Sequence, residues 1–187
     1  DQLAENTKAG VMPLPAQNNL YGSLMMGAYP EVLPGGVAST STARAGELKK
    51  AWGAAVPKFT SKWNAASLVN EKKLKVLYLI GEQQPEGVAQ YVISQNIFPP
   101  EVNYKADLVL PVAAFTESDG SFINGEGRLQ RVRKVVDAPG EAKPDWMILS
   151  RIAQKMGIDG FNYKSAADIH KEIAGLVDGF GNFNKPK

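Results

Sequence analysis

Ala106-Asp107-Leu108-Val109-Leu110-Pro111-Val112-Ala113-Ala114-Phe115-Thr116-Glu117-Ser118-Asp119-Gly120-Ser121-Phe122-Ile123-Asn124-Gly125-Glu126-Gly127-Arg128-Leu129-Gln130 is the run on which the fold turns. It reads as a short buried strand stopped by a proline. A polar, glycine-bearing loop follows, and then a basic extended segment. In open α/β sheets, ligands bind just past the carboxyl ends of the strands. The loop after Pro111 is therefore a candidate site.

Two more strands precede this one. Residues 74–80 hold Val76, Leu77, Tyr78, Leu79 and Ile80 in a near-continuous apolar run, the pattern of a strand covered on both faces. Residues 91–98 give a second strand and 107–111 the third. Helices are expected at 43–52, closed by Gly53, and at 62–72. Another is expected at 144–156, with Trp146, Ile148, Leu149, Ile152 and Met156 as its apolar stripe and Gly157 as its stop. Ser165 and Asp168 mark the start of a last helix, a relative of the capping box. Residues 1–9 read as a helix tail ending at Gly10, 11–17 as an irregular extended stretch broken by Pro13 and Pro15, 18–36 as an ordered loop, and 178–187 as a loose tail. Strands alternating with helices predict an α/β fold. The expected division is an α/β region over 1–157 and a C-terminal helix and tail over 158–187. One connection is too short: ten residues, 81–90, join the first two strands, whereas a parallel crossover needs a dozen or more. A break or an abnormal stretch is expected there.

Composition narrows the chemistry. A chain of 187 residues, 44% hydrophobic and 21% charged, has the make-up of an ordinary globular domain. A net charge of +2 gives no electrostatic reason for nucleic acid or anionic lipid as a partner. No apolar run approaches the roughly 18 residues of a membrane span, and no signal peptide is visible. With no cysteine, this chain supplies neither disulfides nor thiolate ligands for an iron–sulfur cluster. The one histidine, His170, cannot build a zinc site alone and is expected on the surface among charged neighbours. No catalytic residue and no metal ligand is evident.

Four features carry two readings each. Gly81-Glu82, after the first strand, allows close approach of a ligand to backbone, or simply ends a strand. The polar cluster Thr116 to Gly120 with Asn124 to Arg128 is either a ligand site or a turn held by its own side chains. Residues 128–136 form a strand with a basic face, suited to phosphates or an acidic partner, or an edge blunted by charge. Met25-Met26 is a packing pair, with a sulfur–metal role as the alternative.

In order along the chain, short motifs resemble those of the molybdopterin oxidoreductases. Asn18-Asn19-Leu20-Tyr21-Gly22, Met26-Gly27, Pro30 and Leu33-Pro34-Gly35 resemble a loop of the form N-x-x-G-A-x-D-M-G-x-x-P-x-x-L-P-G. Leu77 to Glu82 resembles a strand ending in G-E/A-N-P, and Gln95-Asn96-Ile97-Phe98 resembles Q-D-x-F. The 106–130 run resembles A-D-V-V-L-P-A-x-x-x-x-E-x-x-G-T-x-x-N-x-E-x-R-x-Q. Pro139-Gly140-Glu141-Ala142 and Pro144-Asp145-Trp146 resemble P-P-G-E-A-x-P-D-W. The likeness covers about residues 11–157 and is nearest in flavour to the large iron–sulfur subunit of NADH:quinone oxidoreductase (respiratory complex I), with a formate-dehydrogenase-type relative as the alternative.

The resemblance implies a Rossmann-like, mostly parallel sheet flanked by helices, one part of a larger molybdopterin-oxidoreductase-type fold. It implies a pyranopterin guanine dinucleotide in the metal-bearing members and iron–sulfur clusters elsewhere in the parent chain. By carry-over, Gly81 and Glu82 lie at the phosphate or nucleotide end, Gln95 and Asn96 on the guanine side, and Glu117, Gly120, Asn124 and Arg128 near the pterin. Asn96 stands where the family has an acid, Gln83 where it has Asn, and Met25 where it has Asp. These departures fit a decayed site and a scaffold role in an electron-transfer complex. That role implies other complex subunits as partners, no nucleic acid, no direct membrane insertion, and a cytoplasmic place at the inner membrane through those subunits. A free-standing interaction module is the third possibility.

Overall fold

The computed structural model describes residues 15–57, 68, 74–81, 89–101, 104, 106–181 and 183. The expected helix tail at 1–9 with its Gly10 stop, residues 11–14 of the extended stretch, the 62–72 helix apart from Leu68, and residues 82–88 of the short connection lie outside the described residues. In chain order the elements are α1 (Leu20–Met25), β1 (Val32–Leu33), β2 (Val37–Ala38), α2 (Thr42–Trp52), β3 (Leu74–Ile80), β4 (Ala89–Asn96), β5 (Leu108–Pro111), a 3-10 turn at Phe115–Glu117, β6 (Gly120–Ile123), β7 (Leu129–Val132), α3 (Asp145–Lys155) and α4 (Ala166–Leu176).

The frame is a three-stranded sheet in the order β3-β4-β5. Both pairings are parallel, with Leu77 opposite Val92 and Ile93 opposite Leu108. The fold is therefore α/β with a parallel sheet and flanking helices, as the alternation of elements predicts. Asp107 fixes where β5 begins. Its amide donates to the Val92 carbonyl and its carboxylate accepts from the Val92 amide, both at 2.8 Å. Beyond β5, Val112 bridges in parallel to Lys143, so the chain leading into α3 runs beside the sheet edge.

Cover on both faces of β3 is not what the structure shows. Val76 is 56% and Ile80 48% exposed. Register puts them on one face with Tyr78, Tyr91 and Leu108; Tyr91 and Leu108 are exposed too. An apolar run says that a strand can be buried, not that something lies against each face.

The core lies elsewhere. Ile123 and Leu129 from the β6–β7 hairpin meet Val177 and Phe180 after α4, and Tyr21, Met25, Met26 and Ile173 pack around them. The methionine pair thus serves packing. It does so from a helix, α1, inside the stretch expected to be loop. No side chain caps that helix. The Asn19 carboxamide instead accepts from the Ile123 amide at 2.9 Å, pinning the helix to the hairpin. Tertiary contacts hold a six-residue helix that local signals could not announce. Gly27, at φ 77°, turns the chain out of α1, and a Cβ there would lie 3.0 Å from the Val32 carbonyl oxygen. The glycine-rich motif of this loop is thus required by geometry.

The longer helices start and stop where the sequence says. Ser41 caps α2 and Gly53, at φ 67°, closes it. Ser165 and Asp168 form a capping box on α4. In α3, however, Ser150 and Ala153 are the buried positions, while Leu149 and Met156 are exposed. The buried line thus runs through small side chains, off the expected stripe.

Arg44 joins distant parts. From α2, its Nε donates to the Pro34 carbonyl at 2.7 Å, and an Nη donates to the carbonyl of Leu176, the last residue of α4, at 2.7 Å. A cation at a helix C-terminus meets the negative end of the helix dipole. Its third partner, Glu47, is exposed and adds little. Charge-assisted hydrogen bonds contribute about 1.5–3 kcal/mol each. Replacing Arg44 with Met should therefore lower stability by about 2–4 kcal/mol, read by urea unfolding; a loss under about 1 kcal/mol would refute the anchoring role.

Candidate functional site

The carboxyl edge of the sheet gathers three of the residues picked out by sequence. Gly81 follows β3 at φ 72°, and its amide donates to the Gln95 carbonyl at 2.9 Å. Among the described residues, a Cβ at Gly81 would meet nothing within 4 Å. Gln95 and Asn96 end β4 beside it. Glu82 lies outside the described residues.

Gln95 and Asn96 face opposite ways, as successive strand residues do. Gln95 is 0% exposed. Its Oε1 accepts a hydrogen bond from the Tyr78 hydroxyl, and its Nε2 donates to the Asp145 carboxylate at 2.6 Å. Asp145 is the first residue of α3. Burial, and secondarily the Asp145 charge, raise the Tyr78 phenol above its usual range. Asn96 is also buried, and its Oδ1 accepts from the Phe98 amide at 3.1 Å. An amide oxygen has a second lone pair, and among the described residues no further donor to Asn96 Oδ1 is seen.

The loop after β5 is ordered by its own polar groups. Glu117 accepts from the Ala114 amide at 2.9 Å, closing the 3-10 turn, and Asp119 accepts from the Lys134 amide at 3.1 Å. The Thr116 carbonyl accepts from the amides of Val135 and Val136. At the far end of the hairpin, Asn124 Oδ1 accepts from the amides of Glu126 and Arg128 at 3.0 and 2.9 Å. Arg128 Nε meets Glu126 at 3.0 Å, and both side chains are exposed. The alternative of a turn held by its own side chains is thus realised at these positions. Gly120, which opens β6, is separated from Asn124 and Arg128 by the length of the hairpin. The basic strand is shorter than 128–136; it is β7, paired antiparallel to β6.

Beside Gly120 lies a hollow of about 810 Å3 between the hairpin and α4, lined in part by Ser121, Arg131, Trp146, His170 and Phe183. His170 is not the surface histidine expected. It is half-buried, its ring stacked on Phe183 at 4.6 Å, with the Arg131 guanidinium 4.7 Å from the Phe183 ring centre. An aromatic from the last residues of the chain supplies this partner, which local charge could not reveal. Tyr78 and Asp145 were also passed over as site residues. The signal for them was a hydroxyl inside an apolar strand and an acid at a helix start. Among the described residues, no group of three or more His, Asp or Glu side chains could hold a metal ion, and no helix is long and apolar enough to cross a membrane.

A model of the family described as molybdopterin oxidoreductase matches residues 5–155. The chain is 34% identical over 194 residues to the F420-dependent formate dehydrogenase 2 subunit alpha of Methanococcus maripaludis, a match covering 90% of this chain and 27% of that protein. It is 35% identical over 183 residues to the F420-dependent formate dehydrogenase subunit alpha of Methanocaldococcus jannaschii, covering 88% and 26%. It is 33% identical over 182 residues to the putative formate dehydrogenase YrhE of Bacillus subtilis, covering 90% and 18%. The chain thus spans between 18% and 27% of these relatives. Among solved structures, acetylene hydratase from Pelobacter acetylenicus matches with a TM-score of 0.47 at 15% identity, over 78% of this chain and 24% of that one. These relatives do not support the expected kinship with the large iron–sulfur subunit of NADH:quinone oxidoreductase; the similarity runs to formate dehydrogenase alpha subunits.

Asn124 satisfies two backbone donors, whereas Glu126 only pairs with an exposed arginine. Asn124→Ala should cost about 1–3 kcal/mol of stability, and Glu126→Ala under about 1 kcal/mol. Denaturant unfolding of the two variants checks the order; the reverse order would mean that the hairpin turn is not built by Asn124.

Proposed function

The chain belongs to the molybdopterin oxidoreductase family, and from that premise we propose that it is part of the alpha subunit of a formate-dehydrogenase-type enzyme. The observation that carries this reading is its 33–35% identity to formate dehydrogenase subunits along about nine-tenths of its length. The chain itself provides no redox centre. Its part is to form one wall of a cleft for the pterin dinucleotide, with other subunits and the rest of the polypeptide supplying clusters and electron acceptor.

The residues at the sheet edge fit the nucleotide end of such a group. The space above Gly81 admits a phosphate or ribose to the backbone, and the free lone pair of Asn96 can accept from a base N–H. A neutral amide binds such a donor less strongly than the acid found in the family motif. Glu117, Gly120, Asn124 and Arg128 are proposed for the pterin side, where Glu117 and Asn124 would act by holding the loop's shape and Arg128 by charge. When bound, the pterin dinucleotide would carry the metal at which formate loses two electrons and a proton. This chain's contribution is to orient that group and to keep its distal end fixed.

The test is the complete enzyme, purified and assayed for molybdenum or tungsten, for guanine nucleotide released on denaturation, and for formate-dependent reduction of an artificial dye. Stoichiometric metal and nucleotide with formate oxidation are expected. Absence of metal and nucleotide would overturn the reading in favour of a scaffold; metal with turnover of another substrate would overturn the formate assignment alone.

A further inference from the structure

Gln95 is the most completely enclosed polar side chain of the sheet edge, and its amide bonds Tyr78 and Asp145. The orientation of its amide is dictated. An ionised carboxylate only accepts, so the Nε2 end must face Asp145, leaving Oε1 for the Tyr78 hydroxyl. Reversing the amide would set oxygen against oxygen at Asp145. Through its backbone, the same residue accepts from Gly81, whose positive φ opens the edge. One residue thus ties three things: the end of β3, the start of α3, and the turn where the backbone is open.

We propose that Gln95 is a positioning residue: by bonding Tyr78 and Asp145 with its side chain and Gly81 with its carbonyl, it sets how tightly the sheet edge takes a nucleotide without touching one. This rests on the nucleotide-end reading of that edge. Full burial keeps Gln95 from a ligand, and register turns it to the α3 side, away from the face that carries Asn96. The movement it controls is the seating of α3. If the N-terminus of α3 lifts, the end of β4 loses its side-chain tie to that helix, and the Gly81 turn that leans on the Gln95 carbonyl shifts with it.

The experiment exchanges the polarity of the bond. Gln95→Glu sets two carboxylates against each other; Gln95→Glu combined with Asp145→Asn restores one donor and one acceptor, with the charge moved across. The complete polypeptide, produced in a host that makes no pterin, is titrated with guanosine 5′-monophosphate. Gln95→Glu should weaken binding at least about tenfold, and the double variant should return it to within about threefold of wild type. Arg44→Met, which loosens the fold far from this edge, should leave the affinity of the folded protein unaltered. Should Gln95→Glu fail to fold, the double variant decides alone: folded with near-wild-type affinity, it supports the proposal. A double variant that folds but binds as weakly as Gln95→Glu, or loss of affinity in Arg44→Met as well, overturns it. Wild-type protein that takes no nucleotide overturns the nucleotide-end reading itself, an outcome distinct from failure of the swap.

Discussion

A single buried carboxamide ties the parallel sheet to the start of α3. Gln95 stands between the half-buried Tyr78 hydroxyl and the exposed Asp145 carboxylate and bonds both. Gln95 itself is fully buried, and its amide left without those partners would cost about 1–3 kcal/mol. The sheet has three described strands, and the side-chain bond that Gln95 makes to Asp145 ties it directly to α3. The chain entering α3 is held separately, by the backbone bonds that Lys143 makes with Pro111 and Ala113 beside β5, and the Gly81 turn by its amide bond to the Gln95 carbonyl.

Many residues that make the sequence recognisable act on the protein's own backbone. Asp107 exchanges two hydrogen bonds with Val92 and sets where β5 begins. Gly27 stands where a Cβ would strike the Val32 carbonyl and Pro34. Asn124 organises the hairpin turn, and Glu117 closes a 3-10 turn. Side chains of this kind preserve the shape of the fold. They need not touch what the cleft holds.

The parallel strands, α2 and the capped α4 could be read from the chain because their causes are local: apolar runs, Ser41 and Gly53 at the ends of α2, Ser165 with Asp168 on α4. What escaped was set by distant partners. α1 exists because Asn19 reaches Ile123 and because Tyr21 and Met25 pack on a core completed by Val177 and Phe180. His170 is half-buried because Phe183 lies on it. On α3 the buried positions are small residues, Ser150 and Ala153, which an apolar stripe does not mark. At the candidate site, Gly81, Gln95 and Asn96 were legible as an edge following strands. The burial of Gln95 and its bonds to Tyr78 and Asp145 were not, since they depend on register and on where α3 begins.

The bond from Arg44 to Leu176 spans 132 positions of the chain, and the core that surrounds it draws on Tyr21 and Met25 at one end and Phe180 at the other. On the ribosome this separation becomes a delay. At about 5–20 residues per second, Leu176 is made roughly 7–26 s after Arg44, and Phe180 roughly 8–31 s after Met25. For that interval the growing chain carries an apolar cluster without its later partners and an Arg44 that has only Pro34 and Glu47 to meet. The parallel strands and the hairpin can pair earlier, but the nascent domain cannot close until α4 has emerged. Its amino-terminal third is the part most exposed to wrong partners and to holding chaperones during synthesis.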